Sequence, residues 1–207
     1  MLLVSGRQGK EGELGCFPDC GTLNRESRPS DERGKNDKSE KSMSAEIIST
    51  AKPNRILISA CLLGQEVRYD GGHNLLNDAR VQLWQAQGRL VPFCPECAGG
   101  LPTPRAPAEQ IQGRVLTCDG EDVTEAFELG AELALAKAQQ QQVVAAILKA
   151  RSPSCGKGRV YDGSFSRQLI EGDGVTAALL MRHGIQVFSE FELDAAEKYL
   201  TECDKSA

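Results

Sequence analysis

Of the eight cysteines in the chain, three carry a shared local signature. Cys61 opens "CLLG", Cys94 opens "CPE", and Cys155 closes "SPSC" just before Gly156. Each is flanked by Gly or Pro, residues suited to tight turns and close backbone approach. Thiolates are soft ligands for zinc and for iron–sulfur clusters. Two chemistries are open from these residues. Cys94 and Cys97 form a C-x-x-C pair, and with Cys61 and Cys155 they would supply the four thiolates of a structural zinc site or a thiol-redox centre. Three thiolates, from Cys61, Cys94 and Cys155, suit a 4Fe–4S cluster with one iron left without a protein ligand. Such an iron is a Lewis acid for a soft substrate atom. Histidine chemistry has little support, because His73 and His183 are the only two.

The segments before these cysteines explain how they could meet. "RILISA" at 55–60, "RLVPF" at 89–93, "VVAAILK" at 143–149 and "GIQVFSE" at 184–190 are short apolar runs that predict strands. Between them lie helical patterns at 77–88, 123–142 and 174–184, and "LDAAEKYLTE" predicts a last helix. Asn77 is the expected N-cap of the first, and Gly88 and Gly184 stand where helices should stop. Ala126, Leu129, Leu133 and Ala136 recur at helical spacing and predict the apolar face of the second. "GRVLTCDGED" at 113–122 reads as a small hairpin. Strands alternating with helices predict the α/β class: a single Rossmann-like three-layer domain with a mostly parallel sheet. Parallel strands end on one edge, and ligands bind beyond their carboxyl ends. Cys61, Cys94 and Cys155 follow three different strands, so they should converge there. Cys118 and Cys203 have no such placement.

The 207 residues suffice for one medium domain, and the hydrophobic and charged fractions, 40% and 26%, are those of a globular protein. A net charge of −5 argues against broad electrostatic binding of DNA or RNA. No apolar run reaches the length of a membrane span, and the opening "MLLVSG" is too short for a secretory signal. The expected location is cytoplasmic, where clustered cysteines point to metal or catalysis rather than disulfides. Residues 1–54 are polar and charged with almost nothing to bury, which predicts a disordered N-terminal extension. Met43 offers an alternative start within it. Cys16 and Cys20 lie in this stretch and are expected to be incidental. The folded α/β domain is expected over residues 55–207.

Five ordered stretches, "SACLLGQEVRYDGG", "FCPECAGGLPTPRAPAE", "DGEDVTEAFELGA", "AILKARSPSCGKGRVYDGSFS" and "GDGVTAALLMRHGIQVFSE", together resemble thiouracil desulfidases of the TudS type, over about residues 55–192. The resemblance implies an enzyme that holds a 4Fe–4S cluster on Cys61, Cys94 and Cys155. It implies removal of sulfur, as hydrosulfide, from a thiolated pyrimidine such as thiouracil or 4-thiouridine monophosphate, by non-redox substitution at the open iron. Glu96 would be the acid/base group, expected beside an apolar wall, and Ser152 a catalytic or substrate-binding hydroxyl. Cys97 departs from the family pattern, which keeps the zinc alternative in view. Lys149 and Arg151, near Cys155 in an otherwise acidic chain, and Arg105 are candidate contacts for an anionic substrate. The expected partner is a small thiolated base or nucleotide, with neither DNA nor membrane.

Overall fold

Arg55–Ser59 forms strand β1, and Leu90–Phe93 (β2), Val143–Leu148 (β5) and Gln186–Ser189 (β8) join it in one all-parallel sheet, in the computed structural model, which describes residues 53–206. The expected disorder of the N-terminal extension, the alternative start at Met43, and Cys16 and Cys20 fall almost wholly on residues 1–52, outside the described residues. The strands are apolar almost throughout because a parallel sheet is covered on both faces. On one face Ile56, Ile58 and Ile147 pack with Val81 and Trp84 of α1 (Ala79–Ala86) and Ala196 and Leu200 of α5 (Leu193–Lys205). On the other, Leu57, Ala146 and Val187 pack with Ala134 and Ala138 of α3 (Thr124–Gln140) and Leu180 of α4 (Val175–Arg182). The three layers are those expected from the alternating pattern.

The spatial order is β2-β1-β5-β8. The chain moves from β1 to one side, then crosses to the other, so the crossover loops part at the carboxyl ends of β1 and β5. That parting is where open α/β sheets hold ligands. Two antiparallel hairpins stand apart from the sheet: Ala108–Ile111 (β3) with Arg114–Thr117 (β4), and Arg159–Tyr161 (β6) with Leu169–Glu171 (β7). The first begins five residues earlier than 113–122, with Gln112 and Gly113 at its turn.

Two local expectations are corrected. Asp78, rather than Asn77, caps α1, and its carboxylate accepts from the Arg80 N–H at 2.9 Å and from the Arg80 guanidinium. A carboxylate that meets both the helix terminus and a cation outcompetes a neutral amide one residue earlier. The buried stripe of α3 is Phe127, Gly130, Ala131, Ala134 and Ala138, while Leu129 and Leu133 are exposed. Small residues won that face because α3 is crossed closely by its neighbours. A methyl group on Gly130 would stand 2.1 Å from the Pro95 carbonyl oxygen, and one on Gly99 would stand 1.9 Å from that of Ala126. Pro95 opens the single-turn helix α2 (Pro95–Ala98), so the two glycines let α2 lie backbone to backbone on α3. No helix among the described residues is long and apolar enough to cross a membrane.

Candidate active site

Each cysteine of interest sits at the first bend after a strand. Cys61 lies in a 3-10 turn, Ala60–Leu63, directly after β1. Cys94 is the N-cap of α2, directly after β2. Cys155 follows β5 in a loop tied by Gly156 N–H to the Ser152 carbonyl at 2.8 Å. All three line one cavity of about 720 Å³ at the carboxyl edge of the sheet. Burial pushes the Cys61 thiol up, Cys94 up to about 12, and Cys155 up as well. The polar side chains of Asn74 near Cys61 and Ser59 near Cys155 each counter part of that burial.

Cys97 neighbours Cys94, both sulfurs lying 3.9 Å from the Val67 carbonyl oxygen, but it is not among the residues lining the cavity, and its sulfur also lies 3.5 Å from the Thr103 hydroxyl. Among the described residues, no three His, Cys, Asp or Glu side chains converge closely enough to hold a single ion. Three soft donors at the strand ends of an open cavity, which the exposed Cys118 also lines, are too far apart for one ion and suit a body larger than an ion. A thiolate-bound iron–sulfur cluster fits that donor set.

Glu96 and Ser152 line the same cavity and touch each other. The Ser152 hydroxyl donates to Glu96 Oε1 at 3.3 Å and accepts from the backbone N–H groups of Ser154 and Cys155, each at 3.1 Å. Glu96 shares the cavity with apolar side chains such as Phe93 and Leu101, and its Oε2 also meets the Arg105 guanidinium, at 3.0 Å from Nε and 2.5 Å from Nη2. The three candidate anion contacts all line the cavity but differ in freedom. Arg105 is committed to Glu96. Lys149 pairs with Glu190. Arg151 carries no ion pair among the described residues, and its backbone is left-handed, φ 65°. Lys149 and Arg151 each lie 6.0 Å from the ring of Phe191, which is 72% exposed.

The family model of 2-thiouracil desulfurases matches residues 56–192. The chain belongs to that family. The chain is also similar to an uncharacterized Bacillus subtilis protein, YbbK, at 44% identity over 149 residues, 67% of this chain and 97% of that one. A solved structure of the desulfurase fold, the [4Fe-4S]-dependent thiouracil desulfidase TudS, is 51% identical, covers 72% of this chain and 98% of its own, and superposes with a TM-score of 0.71.

Other cavity-lining features escaped the sequence patterns. The Glu109 carboxylate on β3 is buried and accepts from Gly163 N–H at 2.9 Å and Phe165 N–H at 3.1 Å. It thereby holds the β6–β7 loop, which brings Phe165 and Arg167 to the cavity. Glu109 lies before the 113–122 segment that reads as a hairpin, so no sequence pattern marked it. Tyr69 and Tyr161, which the sequence does mark by its two Tyr-Asp-Gly stretches, line the cavity as well.

Proposed function

We propose that the chain is a 4Fe–4S-dependent desulfidase that converts thiouracil to uracil and hydrogen sulfide. The reading is carried by one observation: thiols from three separate crossover loops border the same cavity as a hydrogen-bonded Glu–Ser pair. Family membership over residues 56–192 and a TudS relative at 51% identity support it. The catalytic unit is the α/β domain of residues 55–207, and its site is cytoplasmic, where thiols stay reduced.

Cys61, Cys94 and Cys155 would hold the cluster. When bound, it supplies an iron free of protein ligands, a thiophilic Lewis acid for a thiocarbonyl sulfur. The net change needs no oxidant or reductant: a carbon–oxygen bond from water replaces the carbon–sulfur bond, and both hydrogens of that water leave with sulfur. Glu96 takes a proton from the attacking water at Oε1, the oxygen that Arg105 does not occupy, and returns it toward the departing sulfur. Ser152, fixed by two backbone N–H groups, orients Oε1 and the water beside it. The apolar part of the lining, including Phe93 and Leu101, excludes bulk water from the ring.

Lys149 and Arg151 are proposed to meet an anionic group where the substrate is a nucleotide such as 4-thiouridine monophosphate. Arg151→Ala should then raise KM for the nucleotide and leave KM for thiouracil unchanged. The primary test is anaerobic reconstitution with iron and sulfide. About four iron and four sulfide per chain, with sulfide release from 2-thiouracil, are expected. A colourless protein with stoichiometric zinc and no sulfide release would defeat the reading in favour of a zinc or thiol-redox protein.

A further inference from the structure

Arg105 lines the substrate cavity, yet every hydrogen it could offer a substrate is already taken. A guanidinium has five N–H donors in a rigid fork. Nε and one Nη2 hydrogen go to Glu96 Oε2, at 3.0 and 2.5 Å. The second Nη2 hydrogen goes to the Val67 carbonyl at 3.1 Å. The two on Nη1 go to the Pro102 carbonyl at 3.1 Å and the Thr103 hydroxyl at 3.2 Å. The side chain is 8% exposed. Its anchors come from the loop before β3 and from the loop that follows the Cys61 turn, so the fork is held independently of Glu96.

We infer that Arg105 is a positioning residue for the proposed desulfidase reaction: it locks Oε2 of Glu96 so that Oε1 stays turned to Ser152 and the cavity. The inference rests on the proposed role of Glu96. A free carboxylate on a glutamate side chain can rotate and exchange its two oxygens. Two N–H donors on one oxygen forbid that exchange and leave the other for proton transfer. A cation that merely attracted substrate would keep donors free, as Arg151 does among the described residues. Lysine cannot substitute, because a single ammonium cannot span Glu96, Val67, Pro102 and Thr103 at once.

The test uses the full chain with its cluster reconstituted. Arg105→Met and Arg105→Lys should lower kcat for thiouracil by about 100-fold, the cost of a small misplacement of a catalytic group. KM and the Kd for uracil, the product, should stay within about twofold, with iron and sulfide per chain at the wild-type level. The double variant Glu96→Gln/Arg105→Met should be no slower than Glu96→Gln alone, since Arg105 acts only through that carboxylate. It also removes both charges, and so remains informative if Arg105→Met strands a buried anion and folds poorly. A raised KM and uracil Kd with kcat intact would overturn the inference, making Arg105 a substrate contact. So would a double variant slower by the product of the single effects. Crystal structures give a readout that does not depend on turnover. Glu96 rotated away from Ser152 in Arg105→Lys supports positioning, and Glu96 unmoved refutes it, even if wild-type protein released no sulfide and the proposed function itself fell.

Discussion

Cys97 and Glu96 separate the two chemistries that the C-x-x-C pair leaves open. Cys97 is held by the Thr103 hydroxyl and does not line the cavity, so Cys97→Ser is expected to keep full iron content and activity within about twofold, whereas Cys61→Ser, Cys94→Ser or Cys155→Ser should each lose the cluster. Iron analysis and the visible absorbance of purified variants check this. Glu96→Gln should keep iron and lower kcat by about 10²- to 10⁴-fold, the usual worth of general acid–base catalysis, as measured by sulfide release. At this scale much was legible. The three cysteines, Glu96 and Ser152 were marked by their motifs, and all five border one cavity. Arg105 was visible as a cation near "CPE", but its partner was not. Nothing in the spacing of Glu96 and Arg105 says that the loop between them folds back to join the two.

Elements position these groups through close contacts and caps. Gly130 lets the Pro95 carbonyl approach α3, so Gly130→Ala must push α2, with Cys94 and Glu96, away from its seat. A loss on the order of 1–3 kcal/mol, the usual cost of overpacking, is expected in chemical denaturation, together with a fall in kcat. The α3 stripe was misread for the same reason. Periodicity favours the bulky leucines, but a helix crossed at backbone distance must turn its small residues inward. Asp78 gives a pH signature. Its bonds to Arg80 hold the carboxyl down to about 2 in the folded protein, below the value near 4 of an unfolded chain. A depressed folded-state value means the contribution is present above pH 4 and fades as pH falls toward 2. Asp78→Ala should therefore cost about 1 kcal/mol at pH 7, a typical N-cap loss, and the gap from wild type should close between pH 4 and 2. Urea denaturation across that range reads it directly. The partly exposed ion pair adds little beyond the cap.

Across the described domain, the three thiols follow the ends of β2, β1 and β5, three adjacent strands of the four-stranded sheet. A ligand bound only by the folded arrangement stabilises it by mass action. Removing the cluster with a chelator should lower Tm by about 5 °C or more for a domain this size, and Cys97→Ser should show the same drop as wild type. The parallel core and its layers were readable because alternating apolar runs and amphipathic helices leave few topologies. The β6–β7 hairpin was not, since three-residue strands carry almost no periodic signal. That hairpin has a consequence for how such an enzyme can diversify. Glu109 grips the hairpin's loop at Gly163 and Phe165, while the thiols sit on turns that follow strands of the sheet. Glu96, Ser152 and Arg151 ride on the thiol-bearing loops, whereas Phe165 and Arg167 reach the cavity on a hairpin of their own. Selection can rewrite Phe165 and Arg167 for a new thiolated substrate while the inorganic centre is passed on unchanged.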